Sequence, residues 1–446
     1  MNDFTPRPVP ELGPPRKGRA PSVAERTLDS GLRVLAVRRS GAPLVELRLR
    51  VPFAASSRAA ADHLATSSLL AETALSGTER HSNAELAAAL QALGGGLAAA
   101  VNADRLLVSG NALATGLSGI LGLLAEVLTT ASYPKSEVDG EKDRLVERIQ
   151  IARSQPSVVA REALARRLFG DHPYGRDLPS EQEIRDLTAA KVRSLHRRKV
   201  VPAGSVLVLV GDLTPARALD AVEAALAGWT TEGAATEPPP VPPIEPGPVT
   251  LVHRPGAVQS NLRLGGLALT RSDPDYPALQ LANMVFGGYF SSRLVENIRE
   301  DKGYTYSPHA LIDHSTAGSN LLVEADVATE VTGPALLEVL YELGRVSLLP
   351  VGEEELENAR QYAIGSLQLS TATQAGLATM ITSLVAGGLD LDWLREHPGR
   401  LAKVTIDEVG AQAARFLAPS SLATVVVGDA EQVEGALRAL GPVERA

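Results

Sequence analysis

Alternating apolar and polar positions near the start of the chain predict strands. Residues 26–50 alternate apolar and polar positions, as in the run RVLAVRR and in LVELRLRV, which ends at Val51, and a period of two is typical of strands in an antiparallel sheet. Stripes of Ala and Leu then predict helices over 62–75 and 83–93. Three glycines at 94–96 end the second helix and return the chain to strands over 97–112. This first stretch therefore predicts a mixed α+β unit.

The pattern of the first part of the chain recurs in the second part. The triplet LRL at 47–49 recurs at 262–264, an offset of 215 residues. The run VLVLVGD, which ends at Asp212, recurs as ATVVVGD, which ends at Asp429, an offset of 217 residues. Two matches that bracket a long segment at nearly the same offset predict a duplicated α+β unit.

Proline content marks the predicted boundaries of the two copies. Residues 1–22 form a proline- and arginine-rich tail that we expect to be unstructured. Residues 231–248 contain the run EPPPVPPIEPG, a composition typical of a semi-rigid linker. We therefore predict two related halves, at 23–230 and 249–446, that superpose on each other.

Composition excludes several classes of function. The chain of 446 residues has a net charge of −9, which argues against a nucleic-acid binder that neutralises phosphates with a basic surface. It has no cysteine, so it offers neither a disulfide framework nor a thiolate metal site. The first residues carry no apolar signal region, and no run of 18 apolar residues occurs. We therefore expect no membrane partner and a cytoplasmic location.

Residues 286–307, with the sequence FGGYFSSRLVENIREDKGYTYS, are the strongest candidate for a site. The glycine pair suits unusual backbone angles, and a following serine suits a helix start. We predict a short helix that ends near Arg299, with Gly303 in a left-handed position and a strand over 304–307. Tyr304 and Tyr306 would then point to the same side. A guanidinium and a phenol could thus converge on one ligand.

At these residues the chain resembles the superfamily of zinc peptidases that includes insulinase, pitrilysin and the mitochondrial processing peptidase. The family signature is GGxxxSRLxxxLRExxGxxYS, and residues 287–307 match it except at Ile298, where the signature has Leu. The resemblance implies that Arg299 and Tyr306 bind substrate and steady the scissile carbonyl. Without it, Arg299 would be read as a helix cap and Tyr306 as a packed edge residue. We also expect substrate contacts from the neighbouring part of the signature, at Gly287, Gly288, Tyr289, Phe290, Ser292 and Arg293.

The zinc motif of active family members is missing from the first half. Those members carry HxxEH on the helix before a Gly-Thr turn, so that two histidines on one helix face hold zinc and the glutamate activates water. Counting back from the turn at 77–78, the three motif positions are Ser68, Ala71 and Glu72. A second departure is Ala98, which replaces an asparagine that helps to hold the peptide in active members. We expect no metal in this chain.

Other residues do not replace the lost ligands. Glu147 falls where the distal metal ligand would be, but one or two carboxylates make a poor zinc site without imidazole or thiolate. No two of the eight histidines are four residues apart, and the nearest pair, His309 and His314, would point to opposite faces of a strand. We expect His63, close to the motif window, to be a capped surface residue.

The resemblance implies a fold and a role. The fold would be α+β, with two homologous halves in a clamshell, each with a mainly antiparallel sheet packed by helices. The role would be the non-catalytic subunit of a heterodimeric zinc endopeptidase of the bacterial two-chain type. A homologous partner would supply HxxEH and zinc, and the substrate would be a peptide or an unfolded polypeptide. One alternative is an assembly role without chemistry, as in the core subunits of respiratory cytochrome complexes. Another is a self-sufficient peptidase with an unusual metal site.

Overall fold

The computed structural model describes residues 21–230 and 233–446. All but the last two positions of the predicted tail at 1–22 therefore lie outside the described residues. Within the described ranges, no single helix is both long enough and apolar enough to cross a membrane. One helix pair, Gln374–Ala386 with Leu391–Leu401, meets both criteria together, but it is bent by 94°.

Six strands form the sheet of the first half: β1 (Val23–Thr27), β2 (Arg33–Arg38), β3 (Leu44–Pro52), β4 (Gly96–Val101), β5 (Arg105–Leu113) and β6 (Val206–Gly211). They pair in the order β1-β2-β6-β3-β5-β4, and every pair is antiparallel except β2 with β6. The described helices of this half are α1 (Ala60–Thr73), α2 (Asn83–Ala92), α3 (Leu117–Thr130), α4 (Lys135–Ser154), α5 (Pro156–Phe169), α6 (Glu181–Arg185), α7 (Ala189–Lys199) and α8 (Pro215–Leu226).

The second half repeats this plan with β7 (Val249–His253), β8 (Gln259–Ala268), β9 (His309–Ser315), β10 (Gly318–Ala328), β11 (Ala423–Gly428) and β12 (Val443–Arg445). They pair in the order β12-β7-β11-β8-β10-β9. The described helices are α9 (Tyr276–Asn283), α10 (Arg293–Val295), α11 (Thr332–Leu348), α12 (Glu353–Ser370), α13 (Gln374–Ala386), α14 (Leu391–Leu401), α15 (Ile406–Phe416) and α16 (Ala430–Arg438).

Five strands of each sheet correspond in order and direction. The first sheet reads β2-β6-β3-β5-β4 where the second reads β7-β11-β8-β10-β9, and the first pair in each series is parallel. Only the outer strand differs: β1 pairs antiparallel with β2, whereas β12 pairs parallel with β7. The fold is therefore α+β with two equivalent, mainly antiparallel sheets, as the sequence predicted.

Each half lends one helix to the sheet of the other half. α13 packs on the first sheet at Leu35, Val37, Val206, Val208 and Val210. In return, α5 packs on the second sheet at Ala423, Val425 and Val427. Both helices directly follow the longest helix of their half, α4 or α12, so they occupy equivalent places. The exchange covers the second face of both sheets and joins the halves.

Coverage by α13 explains why β3 is buried at its polar positions. Glu46 and Arg48 form an ion pair of 2.9 Å beneath the helix, and the Arg48 Nε–H donates to the Thr379 hydroxyl at 3.3 Å. An antiparallel sheet with one face in water would leave such residues exposed. Here the polar groups are buried, but they are satisfied by each other and by α13.

The linker between the halves has no helix or strand in its described part, 233–248. It runs along α5, where Arg167 donates to the carbonyl oxygens of Glu245 and Pro246 at 2.7 and 2.6 Å. The His172 Nε2 lies 2.9 Å from the Pro239 carbonyl oxygen. Side chains of the first half therefore hold the linker in place.

The strand expected over 304–307 is wrong, because these residues form a loop ahead of β9. The Tyr304 N–H donates to the Ile298 carbonyl at 2.8 Å, and the Thr305 hydroxyl donates to the Asp326 carbonyl at 2.6 Å. These bonds tie the loop to the preceding helical turn and to β10, so it does not form a strand ladder. Gly303 has φ of +65°, as its predicted left-handed position requires.

Candidate functional site

The zinc-motif window lies in the C-terminal part of α1. The Ser68 hydroxyl bonds back to the Leu64 carbonyl at 2.7 Å, and Ala71 is buried. Glu72 forms an ion pair with Arg148 of α4, with 3.0 Å between Oε1 and Nη2. A guanidinium therefore neutralises the one carboxylate of the window. The three motif residues do not fit a zinc ion, because zinc favours imidazole nitrogen and thiolate sulfur as ligands.

The helix that should supply a distal ligand presents a different residue. Leu145 and Ile149 of α4 line the cavity beside the window, and Glu147, between them, is exposed on the other side of the helix. Glu141 lies one turn before Leu145, and its carboxylate is 3.8 Å from Arg148. The carboxylate on this face is therefore Glu141, and the expected placement of Glu147 is wrong.

No group of three or more His, Cys, Asp or Glu side chains in the described ranges is placed to hold a metal ion. The expectation that His63 lies on the surface is wrong, because its side chain is only 8% exposed. Its ring packs 5.2 Å from the ring of Phe53. Burial, followed by the nearby Lys199 charge, lowers the pKa of His63 to about 4. The imidazole is therefore uncharged at physiological pH and packs in the core.

A cavity of about 550 Å³ opens between the window and the second sheet. Its walls include Ser68 and Glu72 of α1, the edge strand β4, and apolar residues of α4 and α5. Arg263 and Asn320 of the second sheet lie opposite. The described lining residues do not include Arg299 or Tyr306. The cavity beside the first-half window is therefore formed without the arginine and tyrosine of the second-half signature.

The glycine pair of the signature sits in a π-helical turn, Met284–Gly288, that follows α9. Neither glycine has a positive φ, so the expected unusual backbone angle is wrong. A side chain at Gly287 would approach Ala310 and Leu294 at about 3 Å, and one at Gly288 would lie 2.8 Å from the Met284 sulfur. Close packing explains both glycines. Single π-helical turns are also frequent at functional sites.

Three predicted contact residues serve the fold locally. The Arg293 guanidinium makes a two-pronged ion pair with Glu355 of α12, at 2.6 and 2.7 Å. This pair raises the pKa of Arg293 and occupies its Nε and Nη2, whereas its buried Nη1 has no hydrogen-bond partner among the described residues. Ser292 precedes α10 but is buried, and its hydroxyl makes no capping bond. Tyr289 is half-buried against Tyr362, with 5.0 Å between the rings.

The structure brings Arg299, Phe290 and Tyr306 together. The Arg299 guanidinium carbon lies 4.8 Å from the Phe290 ring centre and 4.7 Å from the Tyr306 ring centre. Arg299 is held between two aromatic faces, a favourable arrangement worth about 0.5–1 kcal/mol per contact at exposed sites. Its Nε is 3.0 Å from the Glu300 carboxylate. We call these three residues the Arg–aromatic stack.

Exposure distinguishes the Arg–aromatic stack from its surroundings. The Arg299 side chain is 29% exposed, Phe290 is 59% exposed, and Tyr306 is 79% exposed. Among the described residues, the Tyr306 hydroxyl has no hydrogen-bond partner. Arg299 and Tyr306 were predicted from the sequence to converge. The role of Phe290 in holding Arg299 was not predicted, and neither was the placement of Arg148 against Glu72.

The chain has a duplicated α+β fold of the peptidase type. The segment of α1 that would hold a metal ion in such a peptidase carries no set of metal ligands. Two family profiles match the chain. "Insulinase (Peptidase family M16)" matches residues 34–181, and "Peptidase M16 inactive domain" matches residues 186–362. The chain therefore belongs to the insulinase family, peptidase family M16, and is a non-catalytic member of it.

The curated relatives are described as uncharacterized zinc proteases or, in one case, as a probable inactive metalloprotease. An uncharacterized zinc protease of Streptomyces coelicolor is 25% identical over 353 residues, which cover 76% of this chain and 75% of the relative. A probable inactive metalloprotease of Bacillus subtilis is 25% identical over 199 residues, which cover 42% of this chain and 45% of the relative. The similarity thus extends both to relatives described as zinc proteases and to one described as inactive.

Solved structures share the fold. A structure described as the peptidase M16 inactive domain from Pseudomonas fluorescens has a TM-score of 0.82 and 23% identity, and covers 91% of this chain and 98% of that chain. A protease from Helicobacter pylori has a TM-score of 0.82 and 16% identity, and covers 92% of this chain and 100% of that chain. Both share the fold of this chain over at least 91% of its length.

Proposed function

We propose that this chain is the non-catalytic subunit of a heterodimeric zinc metalloendopeptidase. A homologous partner supplies the HxxEH motif and its zinc, and this chain supplies Arg299 and Tyr306. The substrate is a peptide or an unfolded polypeptide that lies between the subunits. The chain alone holds no metal and cleaves no peptide.

The observation that supports this proposal most directly is the contrast in how two arginines are used. Arg148 is paired with Glu72, within the zinc-motif window of this chain. Arg299 is held between two exposed rings at the surface. An exposed aromatic pair around a fixed cation is typical of a surface that recognises a ligand.

The chemistry available to the stack suits a peptide bond in cleavage. The guanidinium offers donors in a fixed plane to a carbonyl or carboxylate oxygen. The Tyr306 hydroxyl can donate to the oxygen on which negative charge develops. Donors that are already oriented stabilise a transition state without reorganisation. Phe290 acts as a positioning residue, because its ring fixes the plane of Arg299.

The test is peptide cleavage by the partner mixed with wild-type chain or with Tyr306→Phe. Removing one oriented donor typically costs about 10² to 10³ in kcat. We expect a loss of this size with complex formation unchanged by gel filtration. Tyr341→Phe is the matched control, since Tyr341 is an exposed tyrosine on α11 outside the stack. It should retain wild-type activity.

One outcome supports the alternative role. If the Tyr306→Phe complex forms and cleaves peptide at the wild-type rate, Tyr306 does not take part in the reaction. The chain would then serve as a structural or assembly subunit with the same fold.

A further inference from the structure

Three arginines meet where the two halves touch at the turn between β9 and β10. Arg50 of β3 donates from Nη2 to the Thr316 hydroxyl at 3.0 Å. Arg105 begins β5 and is a diagonal neighbour of Arg50, because β3 and β5 pair Arg50 with Leu107 and Pro52 with Arg105. Arg271, in the loop after β8, reaches the Ser383 hydroxyl at 3.0 Å. This point on the molecule thus gathers three positive charges.

The local carboxylate, Asp104, offsets only one of the three charges. Asp104 accepts from the Tyr174 hydroxyl at 2.5 Å and from the Thr316 N–H at 2.8 Å, so both its oxygens are used. No described carboxylate forms a salt bridge with any of the three arginines. Arg50 is 6% exposed, and its Nε–H has no partner. Burial and then repulsion from Arg105 lower the pKa of Arg50. The three arginines therefore outnumber the one carboxylate, and the cluster keeps an excess of positive charge.

A cavity of about 200 Å³ lies between Arg105 and Arg271. Asp104 is the one acidic residue among its described lining residues. The polar remainder of the wall consists of His314 and hydroxyl groups, at Thr270, Ser272, Ser315, Thr316, Ser319 and Ser383.

His314 contributes no positive charge of its own. Its Nδ1 is 2.7 Å from the Ser319 hydroxyl, and its Nε2 is 3.2 Å from the Tyr276 hydroxyl. Burial, followed by the charge on Arg271, lowers the pKa of His314 to about 3. The imidazole is therefore neutral at physiological pH, and the attraction for an anion comes from the arginines.

We propose that this cavity binds a single tetrahedral oxyanion of the phosphate class, between Arg105 of the first half and Arg271 of the second. Guanidinium and hydroxyl donors are the groups that bind phosphate oxygens. The volume is below the 300 Å³ or so of typical small-molecule pockets, so one phosphate group fits and a whole nucleotide does not. Because its donors come from both halves, the bound anion clamps the halves together.

The experiment is thermal unfolding and calorimetric titration of the full chain with inorganic phosphate, against chloride at matched ionic strength. Anything that binds only the folded state raises the unfolding temperature with its concentration. We expect the midpoint to rise with the logarithm of phosphate concentration and to stay flat in chloride. Arg105→Gln and Arg271→Gln should each weaken phosphate binding by about 10- to 100-fold, the effect of one charge-assisted hydrogen bond.

The matched control is Arg254→Gln. Arg254 also spans the halves, donating to the Ser154 carbonyl at 2.6 Å, but it lies outside the cavity. It should keep the full phosphate response. Arg271→Lys retains the charge and should recover part of the affinity. Arg105→Gln provides an independent reading if Arg271→Gln does not fold.

A parallel titration with ATP identifies the source of the oxyanion. If ATP binds more tightly than phosphate and both glutamine variants lose that binding, the ligand is a nucleotide's terminal phosphate. If phosphate binds more tightly, the ligand is the free ion. The proposal is overturned if wild-type protein responds equally to phosphate and chloride, or if the glutamine variants respond as wild type does.

Discussion

The window in α1 and the Arg–aromatic stack are two sites of one duplicated fold in which an arginine has different neighbours. In the first half, Glu72 and Arg148 neutralise each other, and Glu141 lies 3.8 Å from the same guanidinium. In the second half, Arg299 has aromatic faces on both sides and one exposed carboxylate neighbour. The first site pairs its charges with each other, whereas the second holds a partly buried arginine between two rings that are exposed to solvent.

The sheets beneath these sites do not account for the difference. Five strands correspond in order and direction, and equivalent helices are exchanged between the halves. What differs is a small number of side chains on shared elements. The fold alone does not determine the function of this chain, which depends on the side chains at its surface.

The largest expected effect separates the two arginines. In a mixed complex with an HxxEH partner, Arg299→Met should reduce kcat/KM by about 10²-fold or more, because an oriented donor is lost. Arg148→Met should leave kcat/KM unchanged, because Arg148 bonds only within the chain. Steady-state peptide cleavage measures both. Equal losses in the two variants would remove the distinction between the sites.

The next effect tests whether the halves are otherwise equivalent. Ile381→Ala on α13 and Leu164→Ala on α5 each truncate a buried side chain on an exchanged helix. Each should lower the free energy of unfolding by about 2–5 kcal/mol. Leu348→Ala, at an exposed leucine, should change it by less than about 0.5 kcal/mol. If one exchanged helix tolerates truncation and the other does not, the halves are not joined symmetrically.

The pH dependence tests whether the start of α1 is packed core. The pKa of His63 is about 4 in the folded chain, below the value of about 6.5 expected when unfolded. The unfolded state therefore binds the extra proton first, and stability present above pH 6.5 is lost as pH falls toward 4. The loss should be about 2 kcal/mol between pH 7 and pH 5.

His63→Gln serves as the variant for this measurement. Denaturant unfolding at both pH values should show a smaller difference for His63→Gln than for wild type. His397 is buried and His314 is partly buried, and both have lowered pKa values, so some dependence on pH will remain in the variant. An unchanged difference would show that His63 is solvated.

The smallest expected effect on stability concerns the ion pair in the zinc-motif window. The side chains of Arg148 and Glu72 are 46% and 43% exposed. Pairs at this exposure contribute about 0–1 kcal/mol, because solvent screens them. Glu72→Gln should therefore change the free energy of unfolding by less than about 1 kcal/mol. A larger loss in denaturant unfolding would mean that the pair is a structural element that replaces the metal.

Much of the fold could be predicted from the sequence because the duplicated patterns are local. The two copies of the LRL and VGD runs correspond to strands β3 and β8, and β6 and β11, in equivalent places. The position of Gly303 was also predictable, because only a left-handed turn favours glycine there. The exchange of α5 and α13 was not predicted, since an apolar helix stripe does not show which sheet it covers.

The errors at the site arise from packing that spacing along the chain cannot show. Counting residues placed Glu147 at the ligand position, but the rotation of α4 presents Glu141 and Arg148 to the window instead. His63 seemed polar enough for the surface, yet the neighbouring Phe53 buries its ring. The contact of Phe290 with Arg299 could have been considered from the sequence, because Phe290 is an aromatic residue shortly before a predicted functional arginine.

Metal content tests the central claim most directly. Elemental analysis of the purified full chain, with peptide cleavage assayed on the same sample, addresses the vacated window itself. We expect no stoichiometric zinc and no cleavage by the chain alone, because Ser68, Ala71 and Glu72 leave no metal-binding set. One equivalent of tightly held zinc, with cleavage that a chelator abolishes, would contradict the assignment of this chain as a non-catalytic member.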